Sequence, residues 1–530
     1  MNNLSRLIFA YLKRDLILNI IWILVLVSMV AAGLYKLEDL YGNSSSVVKL
    51  IEMFKTPMMT IMFCKIPDLN HYNIAIAYGA VMLPLMGALG SVMGIQIGVK
   101  GTRMAEANGS TELMLSKAIK RRVPEISSFI EVILVSVVTT ILIFLCLAFA
   151  NMKGQNIKSA FAFSAIIGAF IFMFGGLAIL VSQIFSDVRT VNATCYFILG
   201  IAYFFRSVID VKNFDSLRIF SPFNWLESMH VYYDLNLQYL ILPLFSGVIF
   251  SVVGIYLVGK RDINTGFINE KNRGRKKASF ALKGFITIFI RNERKTIFFW
   301  LVGVELLAVM YGGLSNSLST LANGNKNMLL ILGVSANTAK RELFQQFSIM
   351  AILMIVFFSI FAALVVLYRE EKDAKSGAFD SLLSKPVSHK KVYFTYVFGS
   401  LISGVLIYTI TYLSLFASIS RKHLSMAFIF KGYLSYLCVL IVFVLIGALI
   451  ISAIPSFYPF LYFYLSIMFL LTIMKDLFKV PLWFLKISPF GWMKGAPLSK
   501  VSNPVYISFF IISVVCVVIG LYRYKRRDLV

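Results

Sequence analysis

The chain has 530 residues, of which 59% are hydrophobic, 15% aromatic and 14% charged, and its formal net charge is +26. A soluble domain is about 45–50% apolar and about 25% charged, so this composition excludes a soluble globular protein and predicts an integral membrane protein. The five cysteines and four histidines are scattered and give neither a disulfide framework nor a metal-binding spacing. We therefore expect no metal.

Twelve segments are long and apolar enough to cross a bilayer, which takes about 20 residues. In chain order they lie near 16–33, 74–99, 127–150, 159–185, 190–209, 238–259, 297–314, 343–368, 392–418, 425–452, 458–474 and 504–522. The predicted fold is therefore an all-α polytopic membrane protein with twelve transmembrane helices. Shorter apolar patches at 48–64 and 328–334 cannot cross, and we expect them to lie on the outer surface.

Two short strings each occur twice in the chain. GSTELMLSK at 109–117 returns as GAFDSLLSK at 377–385, and SPFNW at 221–225 returns as SPFGW at 488–492. The offsets, 268 and 267 residues, are nearly equal. We interpret the chain as two tandem six-helix halves, 1–259 and 296–530, which are joined by a basic linker at 260–295.

Lys and Arg accumulate in cytoplasmic loops, so their distribution predicts the orientation. With both termini inside, the inner segments hold 31 basic and 13 acidic residues, against 18 and 10 outside. The basic linker holds 11 basic and 3 acidic residues. We interpret this linker as a cytoplasmic segment that touches anionic lipid rather than nucleic acid.

The repeated nine-residue string lies between the second and third spans of each half, in segments that we call the first coupling loop (100–125) and the second coupling loop (369–391). In the second, Ser376 is placed to cap a short helix, Asp380 lies near its positive end, and Pro386 disfavours helix beyond it. Leu382 and Leu383 give this helix a small apolar surface. Such a short helix suits docking to another protein.

The first copy of the string retains part of this pattern. Its Ala118 stands where the second copy has Pro386. The residues that the first copy keeps, and that we predict to contact a docking partner, are Gly109, Glu112, Leu115, Ser116 and Lys117. Two loops of this kind imply two docking partners.

At these residues the chain resembles the permease subunits of type-2 ATP-binding-cassette (ABC) exporters. The matching residues are Glu370, Glu371, Gly377, Asp380, Leu382, Leu383, Ser384, Pro386, Val387 and Ser388. In that family this loop is the coupling helix that receives an ATPase subunit. The fused twelve-span form looks most like the antibiotic exporters of the tetronasin and fluoroquinolone type.

The resemblance assigns roles to further segments. Residues 1–15 and 279–295 look like the interfacial connecting helices that precede each half's first span. Residues 210–237 and 475–503, which contain the SPFNW and SPFGW strings, look like the re-entrant elements of the outer leaflet. For the two strings themselves we favour a proline-started turn that is anchored by an interfacial tryptophan over a substrate contact.

The chain lacks an ATPase site of its own. A P-loop requires GxxxxGK followed by Ser or Thr, between a strand and a helix. The nearest string is GIYLVGKR at 254–261, which ends in Arg261 at the end of a span. We therefore expect a transport subunit that is not an enzyme, with ATP and Mg²⁺ bound by two copies of a separate soluble ATPase.

Within the spans, Glu305 is an intramembrane acid, which costs at least about 2.5–3.5 kcal/mol to insert when ionised. It is either a polar contact in the transport pathway or a structural hydrogen bond to a neighbouring helix. Met82, Met86 and Met93 could line an apolar pathway or form ordinary core. The four-residue spacing of Gly90, Gly94 and Gly98 predicts close helix approach.

Together these features predict a permease subunit in the bacterial plasma membrane, with both termini cytoplasmic. It would export a hydrophobic or amphipathic compound such as an antibiotic, drug, peptide or lipid-like molecule. The alternative is a proton- or ion-coupled secondary transporter that uses Glu305, because twelve spans in two halves also describe such carriers.

Overall fold

The structure, a computed structural model, describes residues 3–41, 60–61, 63–66, 73–117, 119–150, 152–212, 214–268, 284–315, 340–375, 387–419, 425–473, 481–493, 496–498 and 501–527. Over these residues the chain is almost entirely helical, and twelve of the helices are long and apolar enough to cross a membrane. The prediction of an all-α polytopic membrane protein is confirmed. The chain divides into two units, residues 1–274 and 275–530, each with six of these helices.

Unit 1 contains six spanning helices and three short ones among its described residues. They are α1 (Asn3–Tyr41), α2 (Ile74–Gly101), α3 (Arg103–Ala107), α4 (Ser110–Leu115), α5 (Val123–Ala148), α6 (Ile157–Ile184), α7 (Val188–Lys212), α8 (Pro222–Ser228) and α9 (Ile241–Val258). Two 3-10 turns, Asp215–Phe220 and Leu237–Leu240, flank α8. The short helices α3 and α4 lie in the first coupling loop, after α2.

Unit 2 repeats this order in the part that the structure describes. Its helices are α10 (Phe285–Ser315), α11 (Lys340–Leu367), α12 (Arg369–Lys375), α13 (His389–Ser418), α14 (Met426–Ala453), α15 (Tyr458–Ile473), α16 (Leu482–Leu485), α17 (Pro489–Trp492) and α18 (Asn503–Lys525). A 3-10 turn, Pro455–Phe457, precedes α15. Helix α12 lies in the second coupling loop, directly after α11.

Polar side chains fix where several spans begin. Asn73 caps α2 by accepting a hydrogen bond from the Ile76 amide at 3.0 Å. Asn156 and Ser159 form a reciprocal capping box at the start of α6. Ser388 and Ser425 cap α13 and α14 in the same way. Each cap satisfies amide groups that the first turn of a helix leaves without an internal partner.

The segments predicted as separate connecting helices are continuous with the first spans. Helix α1 runs without a break from Asn3 to Tyr41, and α10 runs from Phe285 to Ser315. Neither stretch contains a proline that would end or kink a helix. The boundaries at 15 and 295 are therefore corrected: each connecting segment and its span form one helix.

Unit 1 is built around α6, whose apolar window is 89% buried. Glycines let α2 approach it closely: a Cβ on Gly94 would lie 2.2 Å from the carbonyl oxygen of Ile171, and one on Gly98 would lie 2.6 Å from that of Gly175. The close approach that the glycine spacing predicted is present. Backbone contact at this distance leaves no room for any side chain.

The two ends of α2 have different neighbours. At its first end, Gly79 and Gly87 face Tyr232 and Leu226, which lie in and after α8. At its last end it continues into α3 and α4. The SPFNW region and the first coupling loop therefore lie at opposite ends of the unit, as a helix that crosses the membrane requires. Of the two predicted surface helices, 328–334 and 48–59 lie outside the described residues.

Candidate functional site

The first coupling loop folds into α3 and α4 with a sharp turn between them. Gly109 makes this turn with φ +72°, a left-handed conformation that favours glycine. Helix α4 follows and presents Leu113, whose side chain is 71% exposed. Ser116 and Lys117 are also exposed, and Leu115 is half-buried. The loop thus carries a short helix with an uncovered apolar side chain at its surface.

A buried ion-pair cluster attaches this loop to the rest of unit 1. Glu106 on α3 accepts a hydrogen bond from Arg103 at 2.7 Å and a two-pronged one from Arg261, which follows α9. All three side chains are nearly inaccessible. Because both guanidinium groups converge on one carboxylate, Glu106 is held more firmly than an exposed ion pair would hold it.

The same arginines reach the end of α6. Arg103 donates to the carbonyl oxygen of Ser182 at 2.6 and 3.0 Å, and Arg261 donates to the side-chain oxygen of Gln183 at 2.7 Å. Farther out, Asn264 donates to Glu112 of α4 at 2.7 Å. The first coupling loop is therefore joined through polar contacts to the ends of α6 and α9.

Unit 2 contains a corresponding cluster at its own coupling loop. Arg527, which follows α18, donates to Glu370 at 3.3 Å and to Glu371 at 2.5 Å, and it also donates to the carbonyl oxygen of Ile451 at 2.8 Å. Tyr524 donates to Glu370 at 3.0 Å. As in unit 1, an arginine after the sixth span joins the coupling-loop acid to the end of the fourth span.

Sequence reasoning missed these two arginines, although the sequence carries a signal for them. Arg261 lies in the string KRD at 260–262, and Arg527 lies in RRD at 526–528. Their offset is 266 residues, close to the offsets of the two recognised repeats. A third alignment of the halves at their ends would have paired them.

A second ion pair links the first two spans of each unit. Asp15 on α1 lies 2.8 Å from Lys100 at the end of α2, and Glu293 on α10 lies 3.7 Å from Arg369 after α11. Each acid precedes a tryptophan by seven residues, Trp22 in unit 1 and Trp300 in unit 2. Helix α5 joins the network in unit 1, where Asn19 donates to Glu131 at 3.1 Å.

The structure assigns different positions to the residues predicted to couple to an ATPase. Glu370 and Glu371 are buried at 1% and 4% exposure against Arg527, so they face the interior of unit 2 rather than its surface. Helix α12 ends at Lys375. The remaining predicted contacts lie outside the described residues: Gly377, Asp380, Leu382, Leu383, Ser384 and Pro386.

The tentative pathway residues are also dispersed. Met86 and Met93 are fully buried in the packing of α2, and Met82 lies against α1, where a Cβ on Gly33 would be 2.5 Å from its methyl carbon. Glu305 is half-buried on α10, and its Oε2 is buried without a hydrogen-bond partner among the described residues. The four residues do not converge on one site.

The SPFNW and SPFGW strings have the same local structure. Each begins a short helix with proline at its first turn. The Trp225 indole nitrogen donates to the carbonyl oxygen of Ile219 at 2.6 Å, and that of Trp492 donates to Lys486 at 2.5 Å. In both units the tryptophan thus closes a loop onto the residue six positions earlier.

The string GIYLVGKR is part of a helix and an ion pair. Gly254 to Val258 continue α9, which packs on α6, and Arg261 binds Glu106. Among the described residues no group of three or more His, Cys, Asp or Glu side chains is arranged to hold a metal ion.

Comparison with known proteins places the second half in a transport context. Residues 282–525 match the protein family described as the C-terminal domain of the multidrug efflux system permease Rv1217c. A search of curated proteins gave no match. The family match covers unit 2 from just before α10 to the end of α18. With the twelve apolar helices, it supports a multi-pass membrane permease for efflux.

Proposed function

We propose that the chain is the permease subunit of an ATP-driven ABC exporter, and that each coupling loop receives one of two separate ATPase subunits. One observation carries this proposal. In each unit an arginine that follows the sixth span binds a buried acid of the coupling loop and the end of the fourth span. A loop with no mechanical role has no need of buried ion pairs, which are expensive to desolvate.

This arrangement would transmit a push on the loop to the helices. Removing one partner of a buried ion pair costs about 3–5 kcal/mol, so the coupling loop and the helix ends that it binds would move together. In unit 1 a displacement of α4 passes to α3 and then, through Glu106 and Arg261, to α6 and α9. The buried acids act as internal connections and not as docking contacts.

The docking contact itself would be the exposed short helix. In unit 1 it is α4, with Leu113 uncovered and Lys117 exposed beside it. In unit 2 the equivalent string is 377–385. An exposed leucine on a short rigid helix supplies the apolar anchor that a protein interface requires, and the flanking charge supplies its polar rim. ATP and Mg²⁺ would bind to the partner ATPase and not to this chain.

The transported molecule would be hydrophobic or amphipathic and would leave a bacterial cell through the plasma membrane. The match to a multidrug efflux permease supports this substrate class and direction. The excess of basic residues on the predicted inner side supports cytoplasmic termini and cytoplasmic coupling loops.

The proposal is tested by placing a charge on each docking helix. Leu113→Arg in the first loop, and Asp380→Arg with Leu383→Arg in the second, should each reduce co-purification of the ATPase encoded beside the permease by about tenfold or more. Loss of a well-packed anchor at an interface typically costs at least about 1.4–2 kcal/mol. ATP-driven uptake into inverted membrane vesicles should fall in parallel.

Phe149→Arg is the matched control. Phe149 is 81% exposed and follows α5, at the end opposite to the first coupling loop, so its replacement changes an exposed apolar residue without touching the proposed docking site. Co-purification and uptake should be unchanged in this variant. Normal co-purification of the ATPase with both loop variants would contradict the assignment of the coupling loops.

A proton- or ion-coupled transporter is the second candidate function. The observation that favours it is the buried Oε2 of Glu305, which finds no hydrogen-bond partner in the part of the chain that the structure describes. An intramembrane acid of this kind is a candidate proton site. The same vesicles separate the two functions, since transport that follows a pH gradient without ATP would support the carrier and contradict the exporter.

A further inference from the structure

The end of unit 1 opposite to the first coupling loop contains a second buried charged cluster. Arg206 on α7 is fully buried and donates to the carbonyl oxygens of Ile61 and Phe63 at 2.7 and 2.6 Å. Asp210, one turn farther along α7, lies 3.7 Å from the Arg206 Nε. Arg206 thus holds the segment at 60–66 against α7 and neutralises one acid.

A second acid, Glu227 on α8, joins this cluster. The Asn224 amide donates to Asp210 at 2.8 Å and, more weakly, to Glu227 at 3.4 Å. Glu227 is 94% buried, yet Arg206 is the only fully buried cation of the cluster. Two carboxylates therefore face one buried guanidinium, and ionisation of both leaves the cluster with a net negative charge.

Glu227 also lines a cavity with an empty volume of about 350 Å³. This size is in the range of small-molecule sites. The wall is largely apolar and aromatic: α2 contributes Leu83, and the loop after α8 contributes Tyr232 and Tyr233. His230 and Lys65 complete its polar part. The cavity thus combines aromatic faces with one deeply placed carboxyl group, the features that recognise an organic cation.

The charged and titratable groups around Glu227 come from every neighbouring segment. Helix α7 contributes Asp210 and Arg206, the 3-10 turn contributes Arg218, and the segment at 60–66 contributes Cys64 and Lys65; the loop after α8 contributes His230, Tyr232, Tyr233 and Asp234. Burial, followed by the charge of Asp210, raises the pKa of Glu227 to about 8. Burial lowers the pKa of His230, so the imidazole is neutral where Glu227 titrates.

We propose that this cavity is a binding site for small aromatic or amphipathic organic cations, with the Glu227 carboxylate as the counter-ion and the Tyr232 and Tyr233 rings as the walls. The site lies in unit 1 alone and requires neither nucleotide nor an ATPase. It goes beyond the exporter function proposed above. Under the predicted topology it faces the outer side, at the end of α2 that is remote from the coupling loop.

Proton binding and cation binding should compete at this site. Below the pKa of Glu227 the carboxyl group is neutral and the cation loses its counter-ion, so affinity must rise with pH. From the pKa of about 8, the dissociation constant of a permanent cation should fall about 50- to 100-fold between pH 6 and pH 9. At pH 7 each bound cation should displace close to one proton.

The test uses the full chain purified in detergent and titrated by calorimetry with benzyltrimethylammonium, whose charge does not depend on pH. The expected result is the affinity change above, together with a binding enthalpy at pH 7 that depends on the ionisation enthalpy of the buffer. This proton release is measured on the unaltered chain. It therefore tests the proposal even if a variant fails to fold.

Two variants identify the titrating group. Glu227→Gln keeps the shape and the hydrogen-bonding capacity of the side chain, so it should bind the cation weakly and with no pH dependence between pH 6 and pH 9. His230→Asn removes the imidazole at a position with φ +48°, which asparagine tolerates, and should keep the wild-type pH dependence. Equal affinity of wild type and Glu227→Gln would overturn the proposal.

Two probes of similar size identify the charge preference. Neopentylbenzene, the neutral isostere, should bind with an affinity that does not change with pH. Phenylmethanesulfonate should not compete with the cation. Tighter binding of the sulfonate, lost in Lys65→Gln, would show an anion site and overturn the proposal, as would no binding of the cation at pH 9. None of these results depends on whether an ATPase docks on the coupling loops.

Discussion

At the scale of single residues, the two coupling-loop clusters differ in how far their acids depend on one arginine. Glu106 retains Arg103 as a buried partner if Arg261 is lost. Glu370 and Glu371 share Arg527, and the other cation near them, Lys375, is largely exposed. Because an uncompensated buried charge costs more than a pair contributes, the two arginines should not be equally important for stability.

We therefore predict that Arg527→Met lowers the free energy of unfolding by about 3–5 kcal/mol, whereas Arg261→Met lowers it by less. The measurement is thermal and denaturant unfolding of the purified chain in one detergent. Adding Glu370→Gln and Glu371→Gln to Arg527→Met should restore most of the loss, since the uncompensated charges are then removed. Equal losses in the two single variants, or no recovery in the triple variant, would contradict this account.

The residue scale is also where sequence reasoning was least complete. The motif around Glu370 and Glu371 suggested surface contacts, but both side chains are buried against Arg527. Arg261 and Arg527 lie more than 150 positions from their acids, so no local pattern of spacing brings them together. Ion pairs of this kind depend on how the ends of distant helices meet, and a single sequence gives no direct measure of that.

At the scale of helices, the close packing of α2 on α6 depends on the absence of side chains. A Cβ on Gly94 would lie 2.2 Å from the backbone oxygen of Ile171 and 3.0 Å from the backbone nitrogen of Gly175. Backbone atoms inside a buried helix cannot move aside as a flexible side chain can. Gly200 on α7 is the opposite case, since a Cβ there would meet nothing within 4 Å.

Gly94→Ala should therefore destabilise the chain by about 1–3 kcal/mol or more, because α2 and α6 must separate. Gly200→Ala is the matched control, with the same chemical change in another helix of the same unit. It should leave stability unchanged or slightly higher, because alanine favours helix. Unfolding of both variants in detergent checks this. A Gly94→Ala chain as stable as the Gly200→Ala chain would be inconsistent with close backbone contact.

Helix positions were largely predictable because apolar length and caps are local signals. All twelve spans occur where hydropathy indicated, and Asn73, Asn156 and Ser425 begin three of them as caps. The boundaries of the connecting segments were wrong because charged residues such as Arg14 and Arg291 suggested a change of environment. Charge marks where a helix leaves the hydrocarbon, but it does not end the helix.

At the scale of the whole molecule, the sequence supplies an orientation that each unit's geometry makes testable. In unit 1 the first coupling loop and the loop after α8 lie at opposite ends of α2. In unit 2, α12 follows the end of α11, and α16 and α17 lie between the fifth and sixth spans. The positive-inside bias places both coupling loops in the cytoplasm and the tryptophan-closed loops outside.

We predict that single cysteines placed at exposed positions report this sidedness in intact cells. A membrane-impermeant maleimide should label Asp234→Cys and Lys486→Cys, in the outer loops of the two units, but not Ser116→Cys or Lys375→Cys in the coupling loops. After permeabilisation all four should react, since all four side chains are exposed. The five native cysteines are replaced by alanine or serine beforehand, four of them lying in spans.

The two coupling loops must agree for the proposed function to hold. An even number of spans separates them, so identical sidedness is required if two ATPase subunits are to reach both loops from the cytoplasm. Labelling of Ser116→Cys in intact cells but not of Lys375→Cys would mean that the units are inverted relative to each other. Inverted repeats are common in ion-coupled carriers. That single result would remove the exporter and favour the carrier, whereas protection of both loops leaves each accessible to an ATP-driven subunit.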